Sequence, residues 1–203
     1  MLRRLIATAL LSAVLTPAIV SAQLITFDDI NCINDGRGTA IANGYGGLNW
    51  NNFFSAGGAA ASNQNNKGIG YQNGMVTRPC IAFNGRGFNS SLSAASPFTF
   101  NGGFFTAAYS SGLTLTINGL NASNVQLFTT VLTLSNSSPT LLNVNWAGLS
   151  TVEFNTAQQS QFAFDNFRFN GTSDPNIVPE PGTYALLATG LAALLVVRRR
   201  RRV

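Results

Sequence analysis

Histidine is absent from the 203 residues, charged side chains make up only 9%, and cysteine and methionine occur twice each. Each scarcity removes a class of chemistry. Without histidine, neither a Ser-His-Asp nor a Cys-His nucleophile can be assembled, and histidine-ligated catalytic zinc is excluded as well. A carboxylate pair for glycoside hydrolysis is the one formal route left, from Glu153 with Asp165 or Asp28. Glu153 stands between Val152 and Phe154, so strand alternation turns it to solvent. The chain reads as a non-enzyme.

A basic field is missing too, although the formal charge is +5. Most of the positive charge sits at the two ends. Between residues 23 and 176 the cations are Arg37, Lys67, Arg78, Arg86 and Arg168, against Asp28, Asp29, Asp35, Glu153, Asp165 and Asp174. That body is close to neutral, which excludes nucleic acid as a partner.

Also missing is any sustained helical period between residues 24 and 169. Short alternating runs are separated by Gly, Asn and Ser instead, LTLTI at 113–117 before Asn118-Gly119 being the clearest. Further strands are expected at ITFDDI (25–30), GLNWNNFF (47–54), CIAF (80–83), FTF (98–100), GFFTAAY (103–109), NVQLFTTVLTL (124–134), TLLNVNW (140–146), TVEFN (151–155) and QFAFDNFRF (161–169). This pattern predicts an all-β, jelly-roll-like antiparallel β-sandwich, with a closed barrel as the alternative. Fifteen phenylalanines imply a stiff aromatic core. The Gly-, Ala- and Asn-rich stretch 55–74 has little to bury and reads as a mobile surface loop, with a segment that carries the binding function as the alternative.

The ends read as transport segments. Residues 1–22 have the three parts of a secretory signal helix: Arg3 and Arg4, a short apolar run, and Val20-Ser21-Ala22 before a mature start at Gln23. The β-sandwich domain is placed at 23–173 and a proline-bearing linker at 174–183. A transmembrane helix with an arginine tail follows at 184–203. The arginines hold that end in the cytoplasm and leave the body on the periplasmic side of the inner membrane. In such an exported chain Cys32 and Cys80 most simply form one disulfide, with two buried thiols as the alternative.

Two strands break their own parity. In QFAFDNFRF the aromatics switch from even to odd numbers at Asp165-Asn166, and in ITFDDI the switch falls on Asp28-Asp29. A bulge at each place would restore burial and re-aim the acids. If the first and last strands are neighbours, Asp28, Asp29 and Asp165 form a hard-oxygen set that suits structural calcium. Ordinary bulge and turn acids, bonded to backbone N–H groups, are the alternative. For carbohydrate binding, Trp50, Trp146, Tyr45, Tyr71 and Tyr109 supply flat faces. Trp146 shares the parity of Leu142 and Val144 and reads as core, so Tyr45 and Trp50 are the preferred ligand-binding candidates.

Val178-Pro179-Glu180-Pro181, a short apolar helix, and then Arg198, Arg199, Arg200, Arg201 and Arg202 resemble the PEP-CTERM sorting signal of Gram-negative bacteria, over residues 178–203. The resemblance implies recognition of Pro179-Glu180-Pro181 by an exosortase, a membrane-embedded cysteine transpeptidase. It further implies removal of the tail and delivery of the protein to the cell surface or an exopolysaccharide matrix. A permanent tail anchor is the alternative. The stretch from ITFDDI through GYGGLNW to FAFDNFRF is similar to uncharacterised β-sandwich domains carried by such proteins, a likeness that implies no activity.

Overall fold

A computed structural model describes residues 23–32, 36–63, 68–157 and 159–171. The expected signal helix at 1–22 and the linker and transmembrane helix at 174–203 lie outside the described residues. Among the described residues no helix is long and apolar enough to cross a membrane.

Every strand pairing is antiparallel. Two long strands, β6 (Ser90–Ala107) and β9 (Thr140–Thr156), run side by side from Ser90 opposite Phe154 to Phe105 opposite Thr140. Their register shifts between Ser93 and Gly102 allow the pair to bend. Beyond the bend on one side lie β3 (Asn49–Asn51) next to β6, and β7 (Leu113–Leu120) then β8 (Gln126–Leu134) next to β9. On the other side β6 pairs with β10 (Phe162–Phe169), followed by β5 (Cys80–Asn84), β4 (Phe53–Gly57) and β2 (Thr39–Ala40). The short β1 (Gln23–Ile25) pairs with the far end of β10. The two halves of this bent sheet face each other as in a sandwich. Among the described residues the path runs open from β2 to β8 and does not close into a barrel.

Alternation builds the interior. Along β7, Leu113, Leu115 and Ile117 are buried while the threonines between them are half-buried. Phe154 from one half meets Phe53, Phe100, Phe105, Phe162 and Phe164 from the other, with ring centroids 5.5–6.4 Å apart. Such edge-on and offset pairs are favourable beyond the area they bury.

Several expected strands have other boundaries. β7 continues through Asn118-Gly119 because Gly119 packs under Leu149 and Trp146, where an added Cβ would lie 3.0 and 3.2 Å from them. The turn comes later, where Asn121 Oδ1 accepts from the backbone N–H of Ser123 and Val125. GLNWNNFF divides at Asn52, which has φ 57° and whose Nδ2 donates to the carbonyls of Gly85, Phe88 and Asn89. FTF and residues 103–107 of GFFTAAY are parts of β6, and TLLNVNW and TVEFN are parts of β9. Only the start of ITFDDI is strand. Phe27 takes φ 64°, and Ile30 N–H closes a turn on its carbonyl at 3.1 Å, so Asp28 and Asp29 sit in a turn rather than a bulge.

The described parts of the stretch read as a surface loop, 55–63 and 68–74, are mostly strand and helix instead. The stretch ends β4 and then forms two short helices, α1 (Gly58–Asn63) and α2 (Ile69–Asn73). These cover the outer face of β4, β5 and β10 with a second small core of Ala56, Ala61, Tyr71, Met75, Ile81 and Phe83. Small residues made the stretch look unburied; their smallness is what permits the close packing. Gly70 N–H donates to the Ala108 carbonyl at 3.0 Å, and a Cβ there would lie 1.8 Å from the Ala107 oxygen.

Cys32 and Cys80 are joined by a disulfide with Cα atoms 5.9 Å apart, closing a sequence separation of 48. In the chain-entropy model a loop of that size contributes about 4 kcal/mol. The double variant Cys32→Ala/Cys80→Ala is therefore expected to unfold at markedly lower urea. An unchanged midpoint and slope would show that the bond does not constrain the unfolded chain.

Candidate functional site

The parity switch in β10 is a bulge. Asn166 takes φ 50°, and the register with β6 shifts after Asp165. Alternation puts Asp165 on the face opposite Phe164, where it is fully buried, and the bulge after it returns Phe167 to the inner face. Its Oδ2 accepts from the backbone N–H of Val76 at 2.7 Å and of Thr77 at 2.8 Å. Oδ1 accepts from Asn166 N–H at 2.7 Å and from the Thr77 hydroxyl at 3.3 Å. Asp28 Oδ1 accepts from Cys80 N–H at 3.0 Å. The two carboxylates thus hold the two ends of the segment that leads from α2 into β5.

Asp29 is not part of this pair. It turns outward and accepts from Tyr45 Oη at 2.5 Å. Among the described residues no group of three or more His, Cys, Asp or Glu side chains is placed to hold a metal ion. Burial pushes the Asp165 carboxyl up to about 6, opposed by the N–H donors of Thr77, Asn166 and Val76 and reinforced by the nearby Asp28. Glu153 lies on β9 opposite Ser91 and Asn118, in the other half of the sheet, in a shallow polar depression with Asn51, Asn89 and Asn155.

The two preferred aromatic candidates fare differently. Trp50, expected as an exposed platform, is 5% exposed and is a core residue. Its ring packs against Phe27, Phe53, Phe164 and Phe167, and Nε1 donates to the Tyr45 carbonyl at 2.9 Å. The strand break at Asn52 puts Trp50 and Phe53 on the same inner side, which a straight alternation would not do. Tyr45 is half-buried beside Phe27 and Trp50. Burial and the bond to Asp29 hold its phenol well above the usual tyrosine range. Trp146 is in the core, stacked on Phe128 at 5.4 Å.

The structure brings Tyr71 and Tyr109 together instead. They line a cleft of about 220 Å³ with Gln161, Phe83, Arg37 and Gly68. Tyr71 is placed by α2: Ser62 Oγ donates to the Gly68 carbonyl at 2.9 Å and accepts from Gln72 N–H at 3.0 Å, tying α1 to α2. Tyr109 follows the end of β6, where Ala108 N–H donates to the Gln161 carbonyl at 3.0 Å. Both phenols donate to Gln161 Oε1, at 2.8 Å from Tyr71 and 2.9 Å from Tyr109, and Gln161 Nε2 donates to the Asn84 carbonyl at 3.0 Å. Burial, together with the Tyr109 hydroxyl, keeps Tyr71 protonated far above the usual range. Gln161 carries no signal of its own in the sequence, since one glutamine among many amides becomes distinct only when two phenols meet it.

Two measurements follow from the acidic pair. The folded carboxyl of Asp165 titrates at about 6 against 3.8 for the free group. Its contribution is therefore greatest below pH 3.8 and is lost as pH rises through 6. Between pH 7 and pH 5 the protein should gain on the order of 1–2 kcal/mol relative to the Asp165→Asn variant, read from paired urea curves. A parallel pH dependence in the two proteins would contradict this. Calcium at Asp28 and Asp165 would have to displace the N–H donors already seated there, so EDTA is expected to leave Tm unchanged. A fall in Tm that calcium reverses would show an ion in place.

No curated protein is significantly similar to this chain. Among solved structures the chain is similar to a DUF4465 family protein from Bacteroides caccae, with 10% identity, a TM-score of 0.42, and coverage of 73% of this chain and 86% of that one. A DUF4465 family protein from Bacteroides ovatus gives 8% identity and a TM-score of 0.40, covering 73% and 93%. TmCBM61, solved in complex with β-1,4-galactotriose, gives 7% identity and a TM-score of 0.35, covering 68% and 96%. The tail matches a family model directly. Residues 178–202 are a PEP-CTERM protein-sorting motif, which implies an exported protein sorted to the surface.

Proposed function

We propose that this chain is a non-catalytic protein of the cell surface or exopolysaccharide matrix, whose near-neutral, jelly-roll-like β body is cargo for its own tail. The observation that carries the reading is the sorting motif at residues 178–202. In that motif Pro179 and Pro181 flank Glu180. The uncharged run at 182–197 would span about 24 Å as a helix, short for a bilayer core of about 30 Å. Arg198 to Arg202 stop the chain on the cytoplasmic side of the inner membrane. A marginal span of this kind presents Pro179-Glu180-Pro181 at the outer surface, where an exosortase-type transpeptidase acts before release.

The absence of histidine and the occupied oxygens of Asp165 support a non-catalytic body. A carbohydrate-binding role is the second reading, and the cleft at Tyr71, Tyr109 and Gln161 favours it over Tyr45 and Trp50. Intact-mass measurement of the protein recovered from the surface of its host tests the first reading. The expected mass begins at Gln23 and lacks residues 182–203. Replacing Pro179, Glu180 and Pro181 together by alanine should leave the tail attached and the protein in the membrane fraction. Recovery of a surface form that retains Val203 would favour a permanent anchor.

A further inference from the structure

The cleft beside α2 has a donor and acceptor pattern that selects among ligands. A phenol carries one hydrogen, and those of Tyr71 and Tyr109 both point to Gln161 Oε1. Both phenolic oxygens are therefore left as acceptors. Gln161 Nε2 gives one hydrogen to Asn84 and has a second to offer. Three bonds fix this amide, so the pattern is set before any ligand arrives, which lowers the ordering cost of binding. Tyr109 is 39% exposed and meets Tyr71 edge-on, with centroids 5.9 Å apart and planes at 87°, which leaves the Tyr109 ring available to stack. Tyr71 is 4% exposed, so its ring is not available to stack.

These features describe a ligand with hydroxyl donors next to hydroxyl acceptors and one apolar face. The volume of about 220 Å³ lies below the roughly 300 Å³ at which drug-sized sites begin, so it suits one small ring. Arg37 also lines the cleft, so charge alone does not select the ligand, whereas a plain aromatic ring would supply no donors. We propose that this cleft binds a single hexopyranose ring. Its C–H face lies on Tyr109, its hydroxyls donate to the Tyr71 and Tyr109 oxygens, and one of them accepts from Gln161 Nε2. The proposal stands on the cleft and not on tail processing. It rests on the carbohydrate-binding reading: a chain that reaches the surface without contacting sugar defeats both of these and leaves the sorting reading standing, and one that binds sugar with its tail uncut defeats only the sorting reading.

Saturation-transfer NMR on the full chain in a zwitterionic detergent tests it, with D-glucose, D-galactose and D-mannose as probes and glycerol as a polyol without a ring. At least one hexose should receive transfer, strongest at the C–H protons of one ring face, with millimolar affinity. Tyr109→Ala should weaken that binding by about tenfold or more. Tyr109→Phe, which keeps the ring and loses the hydroxyl, should weaken it less, and Tyr45→Phe should leave it unchanged. The proposal is overturned if no hexose receives more transfer than glycerol, or if Tyr109→Ala and Tyr109→Phe both bind as the parent does.

Discussion

Phe164 sits at the centre of the interior, its ring centroid 5.1–6.3 Å from rings contributed by the turn at Phe27, by Trp50 and Phe53, by Phe105, and by Phe154. The next residue, Asp165, has to leave that interior, since an aspartate among phenylalanines would lack donors. The bulge at Asn166 resolves the conflict within three residues. Alternation points Asp165 at the backbone of Val76 and Thr77 on the opposite face, and the bulge returns Phe167 to the core beside Phe164. Both faces of β10 are thus committed, one to the aromatic interior and one to the segment that closes α2 and enters β5.

From that constraint the cleft follows. With the start of the segment held by Asp165 and its end held by Asp28 and the Cys32–Cys80 bond, α2 has little freedom on the sheet. Gly70 lets the helix approach β6 at backbone distance, and this contact delivers Tyr71 to Gln161 at the start of β10. The residue that leads into the strand organising the core therefore also supplies the amide that organises the cleft. Aromatic packing, acid clamp and cleft are consecutive consequences of one strand, QFAFDNFRF.

The fold class was readable because alternation and turn residues are local signals, and the bulge at Asp165 announced itself as a parity switch. The bend of β6 and β9 was not readable. A strand that passes from one half of a sheet to the other looks, in sequence, like two strands with a weak joint. Helices α1 and α2 escaped for a related reason: at five or six residues they have no period to detect, and they stand on tertiary packing of Gly, Ala and Ser. Trp50 misled because the left-handed Asn52 changes which residues share a face.

Composition and the linear order of the ends determined by themselves that histidine chemistry is excluded, that the body is nearly neutral, and that the tail at 178–202 is a sorting signal. Those features reside in what is present and in what order, and need no folding to be read. Only the tertiary structure decided which aromatics are core and which line a cleft, and which acids meet. Tyr71, Tyr109 and Gln161 are separated by as many as 90 positions, and no local pattern specifies a meeting brought about by sheet pairing and a helix packed across it.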